Sequence, residues 1–489
     1  EFSNLLPLTL RSFNDYKPAF YVYTAIPSVA IFGLNIFAVR LPSVFMGTLS
    51  VLGMFFLSEF LRRQIKNLKL DSRFSLLSAL MLAISPWHLQ FSRGAFEVNS
   101  GFFLLIWGGV FLLKGLEKPK FLSISAVFFS LSLYAYHAAR IFVPLFLIVF
   151  LITHLKKLLS FKKHLITAAL IGFILSLPAV SIMLSPEGRQ RLSGVSMYGD
   201  QVGFLRDSVS KIIDDQSEGI KFGSLFHNRR IVYINAFVKG YMWHFTPRWL
   251  FLSGENIFRH HAPDMGLLYF FELPFILFGI YKILRHGGPA RLFIFSWLLL
   301  APIASAPTVP VPHSIRSFYM LIPIVFFSAS GIYLFLQSVT KNKYGIFMIT
   351  IFLAFAGFNF FYYLDSYHRH LSTEYSLDWQ YGYKEMYQKA FNLEKNYKKI
   401  VISGKLEQPY IFYLFYSKFD PKVYQQLGGS NRIDFNNWSS LVLGKYEFKQ
   451  LNWPNEKKSS DILYMGKPSD FNGNYKVIDT INYLNGMPA

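Results

Sequence analysis

The stretch LPSVFMGTLSVLGMFFLSEFL, residues 41–61, decides the fold class, because Glu59 is its single charged residue and a basic segment follows directly. A helix that spans a bilayer needs about 20 predominantly apolar residues. The following segment, residues 62–73, contains five Lys or Arg residues and one acid, Asp71. An apolar run with a basic flank is typical of a transmembrane helix whose basic end faces the cytoplasm.

The composition of the whole chain agrees with this interpretation. Of its 489 residues, 52% are hydrophobic and 16% are charged, whereas soluble proteins carry about 25% charged residues. This balance excludes a disordered or collagen-like chain and argues against a soluble enzyme. The chain has no cysteine, which excludes thiol catalysis, disulfides and Cys-ligated metal sites.

Further apolar runs predict an α-helical polytopic membrane protein with about ten spans. The candidate spans are residues 41–61, 74–90, 101–113, 121–137, 141–155, 165–184, 267–281, 292–306, 317–337 and 344–364. Connecting loops on one side, 62–73, 114–120, 154–164, 282–291 and 338–343, together hold 17 Lys or Arg residues and two acids. This is the positive-inside pattern. The formal charge of +21 is therefore explained by topology, and nucleic-acid binding is not indicated.

The opposite, extracytoplasmic side then carries the long segments. We predict an interfacial loop segment at 1–40, a transmembrane domain at 41–364 with a long outer loop at 185–266, and a soluble domain at 365–489. The last segment has 16 basic and 13 acidic residues, an ordinary soluble ratio. β-type runs at 399–403, 461–464 and 476–479 alternate with helical candidates at 380–396 and 409–417, which predicts a small α/β domain.

Residues 14–18, Asn-Asp-Tyr-Lys-Pro, place the carboxylate of Asp15 and the ammonium of Lys17 near the outer membrane face. An aromatic and apolar run follows and is expected to lie in the interface. These two side chains are candidates for chemistry at that face. The alternative is a solvated Asp and a Lys that extends its amine to the headgroups.

Four arginines flank the outward ends of predicted spans: Arg40, Arg93, Arg140 and Arg316. Charged groups at the membrane rim indicate a functional site with a partner, and the nearby carboxylates, Asp15 and Glu97, are too few for these cations. A phosphate suits both guanidinium groups and a lysine ammonium. The alternative is that each arginine only anchors its helix to lipid phosphates.

Histidines accompany these arginines, namely His88, His137 and His313. An HxxxH or HxxE pattern does not link them, so the sequence gives no local support for a metal site, and hydrogen-bonding roles are expected. In the outer loop, residues 242–254 and 259–264 mix aromatic rings with polar groups. Such a composition suits a sugar or a second interfacial element.

Several short motifs together resemble the membrane glycosyltransferases of the GT-C superfamily, in the branch of protein O-mannosyltransferase-like and aminoarabinose-transferase-like bacterial enzymes. Residues 15–18, Asp-Tyr-Lys-Pro, are similar to the KPP/HPP element of that branch, and residues 40–43, Arg-Leu-Pro-Ser, to its RLPS element. Further recurrent blocks correspond to residues 85–93, 136–140 and 312–316. The order of these blocks and their position at predicted span ends make the set fairly specific.

The resemblance implies a plasma-membrane enzyme that uses a sugar attached to a polyprenyl phosphate, presented from the outer leaflet, and transfers it to a glycan, lipid or protein acceptor. It also implies that Lys17 contacts the lipid-linked phosphate, whereas phosphate contacts of Arg93, Arg140 and Arg316 rest on the charge argument alone. The family's catalytic acid typically follows its first span. We therefore expect that acid upstream of Glu1 and interpret the chain as N-terminally truncated and as a fragment that need not be active alone. Asp15 is the candidate base within the chain.

The expected chemistry is an inverting displacement at the anomeric carbon in which cations stabilise the departing phosphate and a carboxylate removes the acceptor proton. No cofactor is required by the sequence, and the involvement of a divalent metal stays open. A polyprenyl-linked oligosaccharide or polymer ligase is the alternative enzyme. A transporter is less favoured, because the sequence shows neither repeated halves nor polar groups at mid-membrane.

Overall fold

The computed structural model describes residues 6–12, 15–186, 188, 194–197, 199, 201–429, 440–473 and 475–488. Asn14 and Glu1, which entered the sequence predictions, lie outside these ranges.

The chain opens with a hairpin that presents Lys17 beside the first long helices. Strands β1 (Thr9–Ser12) and β2 (Asp15–Pro18) pair antiparallel, with Leu10 opposite Lys17. Helix α1 (Phe20–Phe32) contains no charged residue, and α2 (Ile36–Gln64) begins where the Asn35 side chain accepts a hydrogen bond from the Ala38 N–H at 2.9 Å. The Arg-Leu-Pro-Ser motif at 40–43 therefore lies inside α2, whereas the sequence placed it at the start of the span.

The remaining helices follow in chain order through the apolar part and the outer loop. They are α3 (Ser72–Ile84), α4 (Pro86–Arg93), α5 (Glu97–Gly115), α6 (Phe121–Ser132), α7 (Ala139–Leu159), α8 (Lys162–Leu184), α9 (Gln201–Ser217), α10 (Gly223–Phe226), α11 (Arg229–Trp243), α12 (Glu272–His286), α13 (Gly288–Leu300), α14 (Leu321–Val339), α15 (Gly345–Asp365) and α16 (Leu371–Glu374). Within its described residues, the predicted outer loop at 185–266 includes the α-helices α9 to α11.

Six helices of the described chain are long and apolar enough to cross a membrane, or seven if the bent pair α3 and α4 forms one span. The six are α2, α5, α7, α8, Phe318–Val339 and Gly345–Glu374. The bent pair turns by 57° where Pro86 follows Ser85, and proline at the first helical position starts a new helix readily. The other three predicted spans coincide with the shorter helices α6, α12 and α13, so the count of ten stays a prediction.

Helices α12 and α14 pack closely through two glycines. A Cβ at Gly279 would overlap the Phe327 carbonyl oxygen, and a Cβ at Gly331 would overlap the Phe275 carbonyl oxygen. Helix α14 is almost completely buried, whereas α8 and α15 expose most of their apolar side chains. An apolar helix that is exposed in this way is expected to face lipid.

The C-terminal part forms a small domain around a four-stranded sheet, as the sequence predicted. Its strands β3 (Lys399–Ser403), β4 (Leu441–Leu443), β5 (Tyr446–Lys449) and β6 (Ile462–Met465) lie in the order β4-β5-β3-β6, and β3 is parallel to both of its neighbours. Its helices are α17 (Tyr383–Leu393), α18 (Pro409–Tyr416) and α19 (Pro421–Gln426).

The strand expected at 476–479 is absent from the structure. Val477 and Ile478 are exposed there, so this segment has no buried apolar face with which to join a sheet. It runs outside the sheet instead, where Asp479 Oδ2 lies 2.7 Å from Lys389 Nζ.

Candidate active site

A tight turn in the outer loop positions a buried carboxylate. Gly254 has a φ of 62°, and a Cβ there would lie 2.6 Å from the imidazole ring of His261. Glycine fits this turn because it has no Cβ and adopts positive φ readily. The ring of His261 reaches back to the turn, with Nε2 2.7 Å from the Glu255 carbonyl oxygen. The turn therefore directs the Glu255 side chain inward.

The Glu255 carboxylate is surrounded by donors. Its Oε1 accepts hydrogen bonds from His260 Nδ1–H and from the Ser314 hydroxyl, and its Oε2 accepts the Ser314 backbone N–H at 2.9 Å. Glu255 is 7% exposed and His260 is 6% exposed. A buried charge is tolerated only when it is paired and hydrogen-bonded, and Glu255 meets that condition.

His313 completes a cluster of three buried groups with Glu255 and His260. His313 Nδ1 lies 4.0 Å from Glu255 Oε2, and within the described residues that ring nitrogen has no hydrogen-bond partner. One donor atom from each of Glu255, His260 and His313 lies within 4.8 Å of the others, so the three can hold a metal ion. One carboxylate and two imidazoles form a donor set that suits zinc and several transition metals.

His244, a histidine outside this cluster, contacts the backbone of His313. Its Nδ1 lies 2.7 Å from the Gly240 carbonyl oxygen, to which it must donate. Its Nε2 is then the acceptor for the Ser305 hydroxyl at 2.8 Å and for the His313 backbone N–H at 3.4 Å. These contacts define a neutral tautomer and fix the backbone that carries His313.

Burial and partners set the charge states of this cluster. Burial lowers the pKa of His313 to about 3, although the nearby Glu255 carboxylate acts in the opposite direction. Burial also lowers the pKa of His244 to about 4. For Glu255, burial alone would raise the pKa, but the hydrogen bond from His260 and the charges nearby outweigh it and lower the pKa. At neutral pH the cluster therefore holds a carboxylate beside a neutral His313.

A second group of charged residues lies on the hairpin side. Lys17 Nζ is 3.5 Å from Glu97 Oε1, and both side chains are partly exposed. The hydroxyl of Tyr21 interacts electrostatically with both Arg40 and Glu97. Lys17 therefore pairs with Glu97, and both Glu97 and Arg40 act electrostatically on the hydroxyl of Tyr21.

The two groups are joined through α4 and its flanking residues. Phe96, which precedes Glu97, contacts the ring of His260 with centroids 6.1 Å apart, and Phe91 contacts it at 5.7 Å. Gln90 Nε2 donates to the Arg259 carbonyl oxygen at 2.7 Å. The predicted motif at 85–93 is thus the surface on which the outer loop docks.

The other predicted site residues lie in separate surroundings. Arg316 interacts with His313 and donates to the Val309 carbonyl oxygen at 3.3 Å. Arg93 stacks over the ring of Tyr367, 5.1 Å from its centroid. The buried Arg140 donates from Nε to the Leu133 carbonyl oxygen at 3.0 Å.

The three remaining candidates are His88, His137 and Asp15. His88 is buried against the ring of Phe102, with centroids 5.7 Å apart. His137 is half-buried next to Tyr136. Asp15 accepts the Tyr16 backbone N–H at 2.8 Å. The described contacts therefore distribute the predicted cations over several places instead of collecting all of them around one group.

Sequence reasoning identified His313 but missed Glu255 and His260 as its partners. Glu255 and His260 lie close in the sequence, but no HxxxH or HxxE spacing marks them. His313 follows far along the chain. One available signal is that residues 219–271 contain two acids, Glu255 and Asp264, within an aromatic and basic stretch.

Part of the chain matches a known protein family. Residues 16–182 match the family described as dolichyl-phosphate-mannose-protein mannosyltransferase. This range includes Lys17, Arg40, Arg93 and Arg140, but Glu255, His260 and His313 lie outside it. No curated protein matches the chain.

Solved structures of the oligosaccharyltransferase of Archaeoglobus fulgidus are similar to part of the chain. The complex of that enzyme, AglB, with an inhibitory peptide and a dolichol-phosphate is 15% identical, covers 82% of this chain and 56% of its own, and has a TM-score of 0.45. The complex with Zn and sulfate is 16% identical, covers 82% and 53%, and also has a TM-score of 0.45. The chain spans about half the length of these proteins, and TM-scores below 0.5 do not establish a shared fold.

The family match covers residues 16–18 of the hairpin, including Lys17, and the motifs at 40–43, 85–93 and 136–140. It confirms the resemblance to the GT-C superfamily of membrane glycosyltransferases that these sequence motifs indicated.

Proposed function

We propose that this protein transfers a sugar from a polyprenyl-phosphate-linked donor to an acceptor at the outer face of the plasma membrane. The observation that carries the proposal is the ion pair of Lys17 and Glu97, with Arg40 nearby, inside the region that matches the mannosyltransferase family. We propose the acceptor only as a class, namely a glycan, a lipid or a protein, and the donor only as a lipid-linked sugar.

Lys17 is proposed to bind the phosphate of the donor. Its ammonium is 46% exposed and pairs with Glu97 at 3.5 Å, a distance typical of a loose ion pair that an incoming phosphate can replace. A partly exposed pair of this kind contributes little to stability, about 0–1 kcal/mol. The exchange of Glu97 for a dianionic or monoanionic phosphate therefore costs little, and Arg40 adds a second positive charge.

In the proposed reaction the C1–O bond of the sugar breaks, and its electron pair leaves with the polyprenyl phosphate. The acceptor oxygen forms the new bond to C1 from the opposite face and gives its proton to a carboxylate. Asp15 lies two residues before Lys17 in β2, and residues at this spacing share one face of a strand. We assign Asp15 as the base within this chain and Lys17 as the group that stabilises the leaving phosphate.

The Glu255, His260 and His313 cluster is proposed to hold a divalent cation near this site. The donor set fits, because the carboxylate is ionised, His313 is neutral, and His313 Nδ1 is buried without a hydrogen-bond partner in the described part of the chain. When bound, such a cation would supply positive charge for a phosphate. His260 Nδ1–H donates to Glu255, so a cation bound at that nitrogen would require the tautomer of the ring that carries its proton on Nε2.

Lys17→Ala tests the donor site. Undecaprenyl phosphate should raise the thermal unfolding midpoint of the purified chain in detergent, and K17A should lose most of that rise, because a charged hydrogen-bond partner of the phosphate is gone. The matched control is K118A, which removes an exposed lysine from the basic loop between α5 and α6. Equal stabilisation of K17A and K118A would contradict the assignment. Asp15→Asn should keep lipid binding, because Asp15 is assigned to the acceptor proton and not to the phosphate.

His313→Asn tests the cation site by a readout other than activity. Zn²⁺ should raise the unfolding midpoint of the wild-type chain, and EDTA should reverse the rise. H313N should lose the rise, and H164Q, at an exposed position, should keep it. A Zn²⁺ effect that is the same in both variants would place the ion elsewhere.

A further inference from the structure

The small C-terminal domain contains a cavity of about 530 Å³ between its core and the segment 475–481. Ligand sites of proteins commonly enclose about 300–1,000 Å³. The wall on one side comes from α17 and β6, and the opposite wall comes from the last described residues of the chain. This cavity is distinct from the Glu255 cluster and takes no part in the proposed transfer reaction.

Aromatic rings form much of the lining around Trp453. The rings of Tyr464, Phe471 and Tyr475 stand nearly perpendicular to the Trp453 indole, with centroids 5.2, 4.9 and 5.9 Å away. Edge-to-face arrangements of this kind hold a large ring in one orientation. Aromatic faces and edges also pack well against the C–H groups of a sugar ring, so the lining suits a cyclic ligand with both apolar and polar surfaces.

One polar atom in this lining has no partner. The Trp453 side chain is 7% exposed, and its Nε1–H forms no hydrogen bond within the described residues. A buried indole N–H normally finds an acceptor. Since Nε1 has almost no accessible surface, the indole is a packed wall of the cavity.

The charges at the cavity indicate that a ligand bound there is anionic. Lys458 Nζ lies 5.5 Å from the centre of the Trp453 ring, and Lys476 also lines the cavity. Lys389 is neutralised by Glu385 at 3.0 Å and by Asp479 at 2.7 Å, whereas neither Lys458 nor Lys476 forms an ion pair with a described carboxylate. Two uncompensated ammonium groups beside an aromatic lining would attract an acid.

We propose that this cavity binds an acidic sugar, such as a hexuronate residue of a glycan, with the aromatic lining against the sugar ring and Lys458 and Lys476 as partners of the carboxylate. A fatty acid would present the same carboxylate to these lysines, but an aromatic lining of this kind suits a cyclic ligand.

The test is saturation-transfer NMR on the full chain in detergent, with methyl β-glucuronide as the probe and methyl β-glucoside as its neutral counterpart. The glucuronide should bind, and the glucoside should bind roughly tenfold more weakly, because it lacks the charged hydrogen bonds. Lys458→Gln should weaken glucuronide binding by about the same factor. Lys457→Gln is the matched control, since Lys457 is the neighbouring exposed lysine and does not line the cavity.

A second variant separates a loss of binding from a loss of folding. Because Trp453 is buried, W453F can destabilise the domain, whereas Tyr475 is 44% exposed and Tyr475→Ser removes an aromatic wall with little effect on the core. Y475S should reduce glucuronide binding in a chain with an unchanged unfolding midpoint. Absence of glucuronide binding, equal binding by K458Q and K457Q, or displacement of the glucuronide by a fatty acid at lower concentration would each overturn the proposal.

Discussion

At the scale of single residues, the buried histidines of the Glu255 cluster control how the protein responds to acid. His313 and His244 are neutral in the folded chain because burial lowers their pKa values to about 3 and about 4. In the unfolded chain a histidine titrates near pH 6.5. Between these values the unfolded state binds more protons, so stability must fall as the pH falls.

This gives a prediction for the pH dependence of unfolding. Lowering the pH from 7.5 to 5 should destabilise the wild-type chain by about 2 kcal/mol for each of the two histidines. Glu255 does not add to this loss, because its lowered pKa contributes stability that is lost only at lower pH. Thermal unfolding in detergent at several pH values measures the slope, which H244Q should reduce and H164Q should not. An identical slope in wild type and H244Q would contradict the assignment.

At the scale of elements, the contact between α12 and α14 depends on two small residues. Sequence analysis identified both helices as apolar candidates but gave no reason for Gly279 or Gly331. In the structure each glycine faces a backbone carbonyl oxygen of the other helix, and backbone cannot move aside as the end of a flexible side chain can. Close approach through small residues is a common way for helices to associate in membranes.

Gly279→Ala is therefore expected to destabilise the protein by about 1–3 kcal/mol, because the new methyl group overlaps the Phe327 carbonyl. The matched control is Gly357→Ala on α15, where a Cβ would meet nothing within 4 Å. G357A should be neutral or slightly stabilising, since alanine favours a helix over glycine. The unfolding midpoints of the two variants, measured in the same detergent, test this prediction. Equal decreases of the midpoint in G279A and G357A would show that the contact between α12 and α14 is not tight.

At the scale of the whole molecule, the prediction concerns the topology of the chain in the membrane. The basic loops and the long segments should lie on opposite sides of the membrane, with residues 62–73 inside and the C-terminal domain outside. The described part of the chain has six or seven helices that are long and apolar enough to span a membrane, and a separate sheet domain. The sheet domain contacts the outer loop, since Arg259 Nη2 lies 3.7 Å from Glu407 Oε1.

The lack of cysteine makes this topology directly measurable. A membrane-impermeant maleimide should label Ser372→Cys in intact cells, and it should label Asn67→Cys only after the membrane is made permeable. Both positions are polar and exposed; Asn67 lies outside the candidate spans, and Ser372 lies in the last turn of the segment Gly345–Glu374. Labelling of N67C in intact cells, together with protection of S372C, would reverse the orientation and place the proposed site on the cytoplasmic face.

The sequence by itself determined that the chain is a helical membrane protein with a separate α/β domain, because apolar length, basic loops and strand-like runs are local properties. Short motifs, including the one that contains Lys17, also gave the resemblance to a family whose model matches residues 16–182. The site beyond those motifs was decided by tertiary structure. Glu97 meets Lys17 only when α5 packs beside the hairpin, and His313 meets Glu255 only when the outer loop folds back across α4. Such contacts join residues far apart in the chain, and no local pattern of hydrophobicity or charge records which distant groups will meet.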